Sequence, residues 1–284
     1  MARKFFLFLF SLLLLAALRP PTSTAEMKPV PKLRAGLPPM EVLETVIRHN
    51  QQTVAGLKPD TDLTSLATPH LTWLADADAR VRPQLVVAAP GQEVYTVRNL
   101  GNQMELSQGA IDYGVRHLRT PVLLITGNSD SLAIRLFSDG YQDVEPAIRK
   151  ELDHLHLPLT TVAKPKTIPR KTGKKEKQVK KKEEIDPAEQ QLRYVEANVD
   201  YQVEQAMKRY QDRIREGRLV VVGSVLDLAN AYGRGAGRLI IINVNNERGD
   251  TKLKKLRMMV RLEETLLSGH IGRQRRKPAS SDDK

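Results

Sequence analysis

The sequence predicts an α/β fold with a central, mainly parallel β-sheet of about four to five strands flanked by helices. Three observations carry this. Short apolar runs alternate along the chain with segments of helical periodicity. One run, residues 121–126, is continuously apolar, as in a strand covered on both faces. The runs end in polar loops, where open α/β sheets carry their chemistry.

The elements follow in order. Residues 26–39, with Pro29, Pro31, Pro38 and Pro39, read as an extended lead-in. From Met40, the residues Val42, Leu43, Val46, Ile47 and Val54 recur at helical spacing. Residues 71–75 form a short apolar strand that runs into a polar loop, 76–80. Residues 93–98 are a second strand, 109–118 a helix, and 121–126 the third strand. The loop 127–131 follows, and a helix opens over 132–137. Val195, Val199, Val203, Met207, Tyr210 and Ile214 keep i+3/i+4 spacing on a long helix. Residues 219–226 and 239–244 are the fourth and fifth strands, joined by a Gly-rich stretch that reads as a flexible hairpin loop. Leu253, Leu256, Val260 and Leu266 place a final helix, and a flexible basic tail is expected over 272–284. The folded domain is therefore expected over 40–271.

Two segments stand apart. Arg3 and Lys4 precede an apolar run over 5–18, shorter than the roughly 20 residues of a membrane span, and Ser23-Thr24-Ala25 follows. Residues 1–25 are expected to be a signal peptide, and the mature protein to be exported, periplasmic or secreted. An uncleaved anchor is the alternative. Residues 160–187 are expected to be a disordered Lys-rich insertion: residues 164–182 hold nine Lys and one Arg against one acid, Glu176.

Charge follows from those segments. The chain carries 45 Lys+Arg against 33 Asp+Glu, a formal +12. Without Arg3, Lys4 and Arg19 the remainder carries +9, which is also the net charge of residues 164–182. An acidic partner is thus an inference about the insertion, docking on an anionic surface. No aromatic residue interleaves its lysines, and no nucleic-acid partner is expected. The chain has no cysteine, which excludes disulfides, thiolate metal sites and cysteine nucleophiles.

The loops carry a resemblance. Asp76-Ala77-Asp78-Ala79-Arg80, then Arg98-Asn99-Leu100-Gly101-Asn102, then Gly127-Asn128-Ser129-Asp130-Ser131-Leu132 follow one another after successive strands. Residues 109–115, 195–199 and 221–227 continue the series. In order and spacing these blocks resemble the β-class carbonic anhydrases, with Cys-x-Asp-x-Arg, Arg-Asn-Ala-Gly-Asn and Gly-His-x-x-Cys-Gly at the same places. The resemblance runs from about residue 40 to 244.

What it implies is specific. The family holds zinc with two Cys and one His, and these positions fall on Asp76, Asn128 and Ser131. The family's Asp–Arg dyad survives as Asp78 and Arg80, the candidate catalytic pair, with Arg80 a candidate holder of a small anion such as bicarbonate. Asp78 with Arg80 reads equally as a structural tie between strand and loop. A carboxylate, an amide and a hydroxyl are a poor set for zinc, which favours thiolate and imidazole. Without zinc to bring bound water to a pKa of about 7, nothing in these loops supplies hydroxide, and no histidine lies there as a base. No resident metal or cofactor is expected, although the family would use zinc.

Blander roles exist too. Asn128 or Ser129 can cap the helix beginning near Ser131, and Asp76 or Asp78 can cap the turn after the first strand. His154 and His156 lie two apart and are expected to face solvent at a helix end. Gly127-x-Ser129 lacks the second glycine of a nucleophile elbow, Ser131 standing there. Gly233 to Gly237 resembles a phosphate loop only in composition, since it joins two strands.

The expected function is a catalytically inactive relative of the carbonic anhydrases that works as a binding or scaffold module. The resemblance implies a homodimer or higher homo-oligomer. One alternative is reversible CO2 hydration at an atypical metal site on Asp76, and another is anchoring to an anionic surface through residues 164–182.

Overall fold

The computed structural model describes residues 38–64, 68–160, 162 and 186–275. The expected signal peptide, nearly all of the Lys-rich insertion and the last nine residues lie outside them. The chain divides into two compact units, Met1–Pro59 with Gln142–Glu145, and Asp60–Tyr141 with Pro146–Lys284.

The first unit contributes one described element, α1 (Pro39–Ala55). Proline at the first helical position and Glu41 in the first turn suit its start. Arg48 Nε donates to Glu44 Oε1 across one turn at 2.9 Å. None of its residues is buried.

The second unit is a six-stranded mixed sheet flanked by helices, with strand order β2-β1-β3-β4-β5-β6. Here β1 is Leu71–Asp76, β2 Val94–Asn99, β3 Val122–Asn128, β4 Val220–Asp227, β5 Arg238–Val244 and β6 Glu247–Arg248. The first four pair in parallel, and β5 and β6 add antiparallel. The sixth strand has only two residues, too short for any periodicity to mark. In register, Asp76 faces Asn99 and Asn128 faces Leu226, so four carboxyl ends share one edge.

Alternation splits the core between two faces. Leu74, Leu123, Ile125 and Val221 point to one, with Ile111, Val203 and Tyr210. Trp73, Ala75, Leu124 and Val222 point to the other, with Leu253, Leu267 and Ile271. Strands β1, β3 and β4 are buried along nearly their whole length, as the apolar run of β3 predicts, while β2, at the sheet edge, is mostly half-buried.

The helices differ from the periodicity in three places. The helix expected over 109–118 is an α-turn, Gln108–Asp112, continued by a π-turn, Tyr113–His117. The long helix α7 (Pro187–Arg209) stops before Tyr210, and Ile214 belongs to a separate short helix, Gln211–Arg215. A cap from Asp186 to the Ala188 amide and proline at its first turn begin α7. It lies directly on the sheet: a Cβ on Gly127 would sit 2.7 Å from Val195 Cγ1, and one on Gly223 2.8 Å from Val203 Cγ2.

The final helix is two, Asp250–Lys254 and Glu264–His270. Between them the amides of Leu256, Met259 and Leu262 each bond the carbonyl three residues back. Three residues per turn bring Met259 into the core in place of Val260, which is exposed.

The expected loose tail is described only to Arg275, and over those residues it is held. Ile271 bridges to Ile241, and the Gly272 amide bonds the Ile241 carbonyl at 2.9 Å. Arg273 pairs with Asp200 of α7 at 2.6 Å, and Arg275 pairs with Glu189 near its start. The Gly-rich connection between β4 and β5 is likewise tied down. Asp227 accepts the Ala231 and Tyr232 amides at 2.7 and 2.9 Å, and Tyr232 is fully buried.

Candidate functional site

The carboxyl edge of the sheet brings together all five residues that the sequence singles out. Asp76 closes β1 and is 2% exposed. Its Oδ1 accepts the Gly101 amide at 2.9 Å, and its Oδ2 accepts the Ser131 hydroxyl at 2.6 Å and the Asn128 amide nitrogen at 3.4 Å. Burial raises its pKa, and the hydrogen bonds from Ser131 and Gly101 work against that rise.

Asn128, fully buried at the end of β3, is oriented from both sides. Its Nδ2 faces two carboxylates, Asp76 and, at 3.3 Å, Asp78. Its Oδ1 accepts the Asp130 amide at 2.8 Å. Acceptors on one side and a donor on the other fix which atom is nitrogen. Ser131 is the actual cap of α4 (Leu132–Asp139): its hydroxyl oxygen accepts the Ile134 amide at 3.3 Å while donating to Asp76. Neither Asn128 nor Ser129 fills that role. Ser129 instead accepts the Ala229 amide at 3.0 Å and ties β3 to the loop after β4.

Asp78 and Arg80 form a close pair. Asp78 accepts the Arg80 backbone amide at 2.9 Å and its Nε and Nη2 at 3.0 and 2.7 Å. Burial pushes the Asp78 carboxyl up, but Arg80's hydrogen bonds and charge outweigh it and hold the pKa below its usual range. Arg80 also donates through Nη1 to Asp130 Oδ2 at 2.6 Å and through Nη2 to the Asp130 carbonyl at 2.8 Å. Its pKa is raised by Asp78 first and Asp130 second. All three guanidinium nitrogens are therefore engaged. A small anion expected on Arg80 would share the guanidinium with Asp78 and with Asp130, which Arg135 also holds.

Asp130 is the neighbour in this network that sequence reading misses. It sits in a loop rich in Asn, Ser and Asp, where an acid reads as turn chemistry. Gly101 is the other, since its amide is aimed by the turn after β2, where its φ is +72°. Helix α7 holds that turn in place. Asn198 donates to the Gly101 carbonyl at 2.7 Å, and Gln202 accepts the Met104 amide at 2.9 Å.

The histidines lie elsewhere. His156 Nε2 is 2.6 Å from the Tyr141 hydroxyl, which also donates to Asp153 at 2.7 Å, and His154 faces Glu105 at 3.4 Å.

This donor set does not fit a zinc ion. The amide oxygen of Asn128 is turned away to a backbone amide, the Ser131 hydroxyl donates, and the one carboxylate already accepts three hydrogen bonds. Neutral amide and hydroxyl groups offer weak, hard donors where zinc takes imidazole and thiolate. Among the described residues no group of three or more His, Cys, Asp or Glu side chains is placed to share a metal.

Comparisons with known proteins agree on the scaffold. A family model described as carbonic anhydrase matches residues 71–233. The β-carbonic anhydrase CcaA superposes with a TM-score of 0.55 at 16% identity, covering 71% of this chain and 95% of its own. A Coccomyxa β-carbonic anhydrase, solved in complex with acetazolamide, superposes with a TM-score of 0.53 at 21% identity, covering 78% of this chain and 92% of its own. No curated protein matches the sequence.

Proposed function

We propose, from the premise that this chain belongs to the β-class carbonic anhydrase family, that it keeps the family's fold as a binding or scaffold module and does not hydrate CO2 at a zinc centre. One observation carries the reading. The side chains at the three positions where the family holds its metal hydrogen-bond one another, with Asp76 accepting from both Ser131 and Asn128. The family's chemistry needs a metal-bound water with a pKa of about 7. Asp76, Asn128 and Ser131 instead link the ends of β1 and β3 to the start of α4, which a metal would otherwise do. Asp78 and Arg80, retained from the family, are neutralised within the same network by each other and by Asp130.

The test is direct. The full-length protein is purified, its bound metal measured, and CO2 hydration followed by stopped flow with and without added zinc. Zinc well below one per chain and hydration at the buffer rate are expected. Stoichiometric zinc with fast hydration would falsify the reading.

Two further parts of the proposal concern the chain's surroundings. It assembles as a homodimer or larger homo-oligomer, a reading supported by α1, on which Met40, Leu43 and Ile47 are 49–72% exposed. A monomer by light scattering at micromolar concentration overturns that. It is also exported, a reading supported by the basic and then apolar start of the sequence. Recovery of the intact N-terminus from the cytoplasmic fraction alone overturns it.

A further inference from the structure

At the amino ends of β3 and β4, away from the polar cluster, a groove of about 670 Å³ is lined by Arg116, Arg119, Arg213, Arg218, Asp212 and Glu216. We propose that this groove binds a small molecule bearing two or more linked phosphate groups. The inference stands apart from the question of CO2 chemistry and needs only the groove.

The argument begins with charge compensation. Four guanidinium groups face two carboxylates. Arg116 takes Asp212 in a two-pronged contact at 2.7 and 3.2 Å, and its Nη2 bonds the Arg209 carbonyl at 3.0 Å. Arg116 also lies over the Tyr210 ring at 5.3 Å, so it is fixed in place. Asp212 is accordingly held in its charged form, with a pKa lowered by Arg116. Arg218 faces Glu216 at 3.5 Å. These two pairs leave Arg119 and Arg213 with no carboxylate among the described residues.

Their donors are unspent. Among the described residues Arg213 reaches only the Arg218 carbonyl, at 3.5 Å through Nη2, and its buried Nε finds no hydrogen-bond partner there. A buried donor left unbonded costs free energy that an arriving acceptor recovers. Arg119 is exposed and holds a left-handed backbone, φ +58°, which a non-glycine residue adopts at a cost.

Guanidinium groups present planar forks that match phosphate oxygens two at a time. Two uncompensated forks in one concave groove suit two linked phosphates better than one. The groove's volume falls in the range of small-molecule sites. No aromatic side chain is among the described lining residues, so stacking of nucleic-acid bases is disfavoured.

Isothermal titration of the full chain with inorganic tripolyphosphate at low salt tests this. One saturable site is expected, with inorganic sulfate at least about tenfold weaker because it engages one fork. Replacing both Arg119→Glu and Arg213→Glu is expected to weaken tripolyphosphate binding at least about tenfold. Deleting residues 164–182 is expected to leave it within about twofold, because the proposed site is built from the described arginines alone. Should the double variant fail to fold, Arg119→Ala alone, at an exposed position, is expected to weaken binding in the same direction. The proposal is overturned by absence of saturable binding, by equal affinity for sulfate, by unchanged affinity in the arginine variants, or by loss of binding on deleting 164–182.

Discussion

The two edges of the parallel sheet handle charge in opposite ways. At the carboxyl edge, Asp76, Asp78, Arg80, Asn128, Asp130 and Ser131 spend their hydrogen bonds on one another and on the backbone. At the amino edge, four arginines meet two acids, and a guanidinium nitrogen is buried without a partner. A network that satisfies itself adds rigidity but leaves little to offer a ligand. A groove with surplus donors adds little stability and retains its capacity to bind. On the proposed reading, the place where the family's fold carries its chemistry serves as a structural tie, and the better-prepared ligand site lies at the other end of the strands.

The sharpest way to break this contrast is at its centre. Asp76→Ala strips the acceptor from the Gly101 amide, Ser131 and Asn128, all in a buried setting. It is expected to lower unfolding free energy by about 2–4 kcal/mol in urea titration. A change below about 0.5 kcal/mol would mean the cluster is not a structural tie.

Arg80→Ala comes next. Arg80's side chain is 44% exposed, so solvent screening limits the expected loss at pH 7 to about 1 kcal/mol. Its pH dependence has a definite sign. The Asp78 carboxyl is lowered in the fold, so its contribution is present above the ordinary value of 3.8 and is lost as the pH falls through the folded value. The difference between wild type and Arg80→Ala is therefore expected to shrink below about pH 4. Asp76 has the opposite sign. Its raised carboxyl contributes below 3.8, and that contribution is lost as the pH rises through the folded value. Asp76→Asn should thus flatten the neutral-side slope while Arg80→Ala flattens the acid-side one, and parallel profiles would refute the assignment.

At the other edge, Arg119→Glu with Arg213→Glu is expected to change stability by no more than about 0.5 kcal/mol while weakening tripolyphosphate binding at least about tenfold. Smallest of all, zinc or a chelator should shift the melting temperature by less than about 1 °C, since a metal stabilises only by binding the folded state. A zinc-dependent rise of several degrees would return the carboxyl edge to metal chemistry.

The apolar runs and their order were legible, because burial on both faces leaves β1, β3 and β4 free of charged residues until their last position. That last position is where sequence reading fell short. Asp76, Asn99 and Asn128 end the runs as hydropathy but continue the ladder as backbone. The candidate residues at the carboxyl edge were found through the family's spacing. Their mutual hydrogen bonds were not, because Asn128 can present oxygen or nitrogen and only the folded chain shows which. Asp130 was lost among loop residues of like polarity. The last helix failed for a different reason: three-residue turns shift the phase, so Met259 takes the core place that a regular helix gives to Val260. The arginine groove gathers positions up to 102 apart in sequence, with no motif to join them.

The clamp of Arg273 and Arg275 on α7 has a practical consequence. It fastens the far end of the chain to Glu189 and Asp200, and Leu192 in the same helix is buried. On the other side of the Lys-rich segment, Leu155 and Leu159 are buried as well. Each stem is thus anchored by its own described residues. Closing a loop between fixed stems costs only about 0.6 kcal/mol for each doubling of its length. An epitope, a fluorophore tag or a protease site spliced between residue 162 and Asp186 is therefore expected to leave the melting temperature of the sheet unchanged.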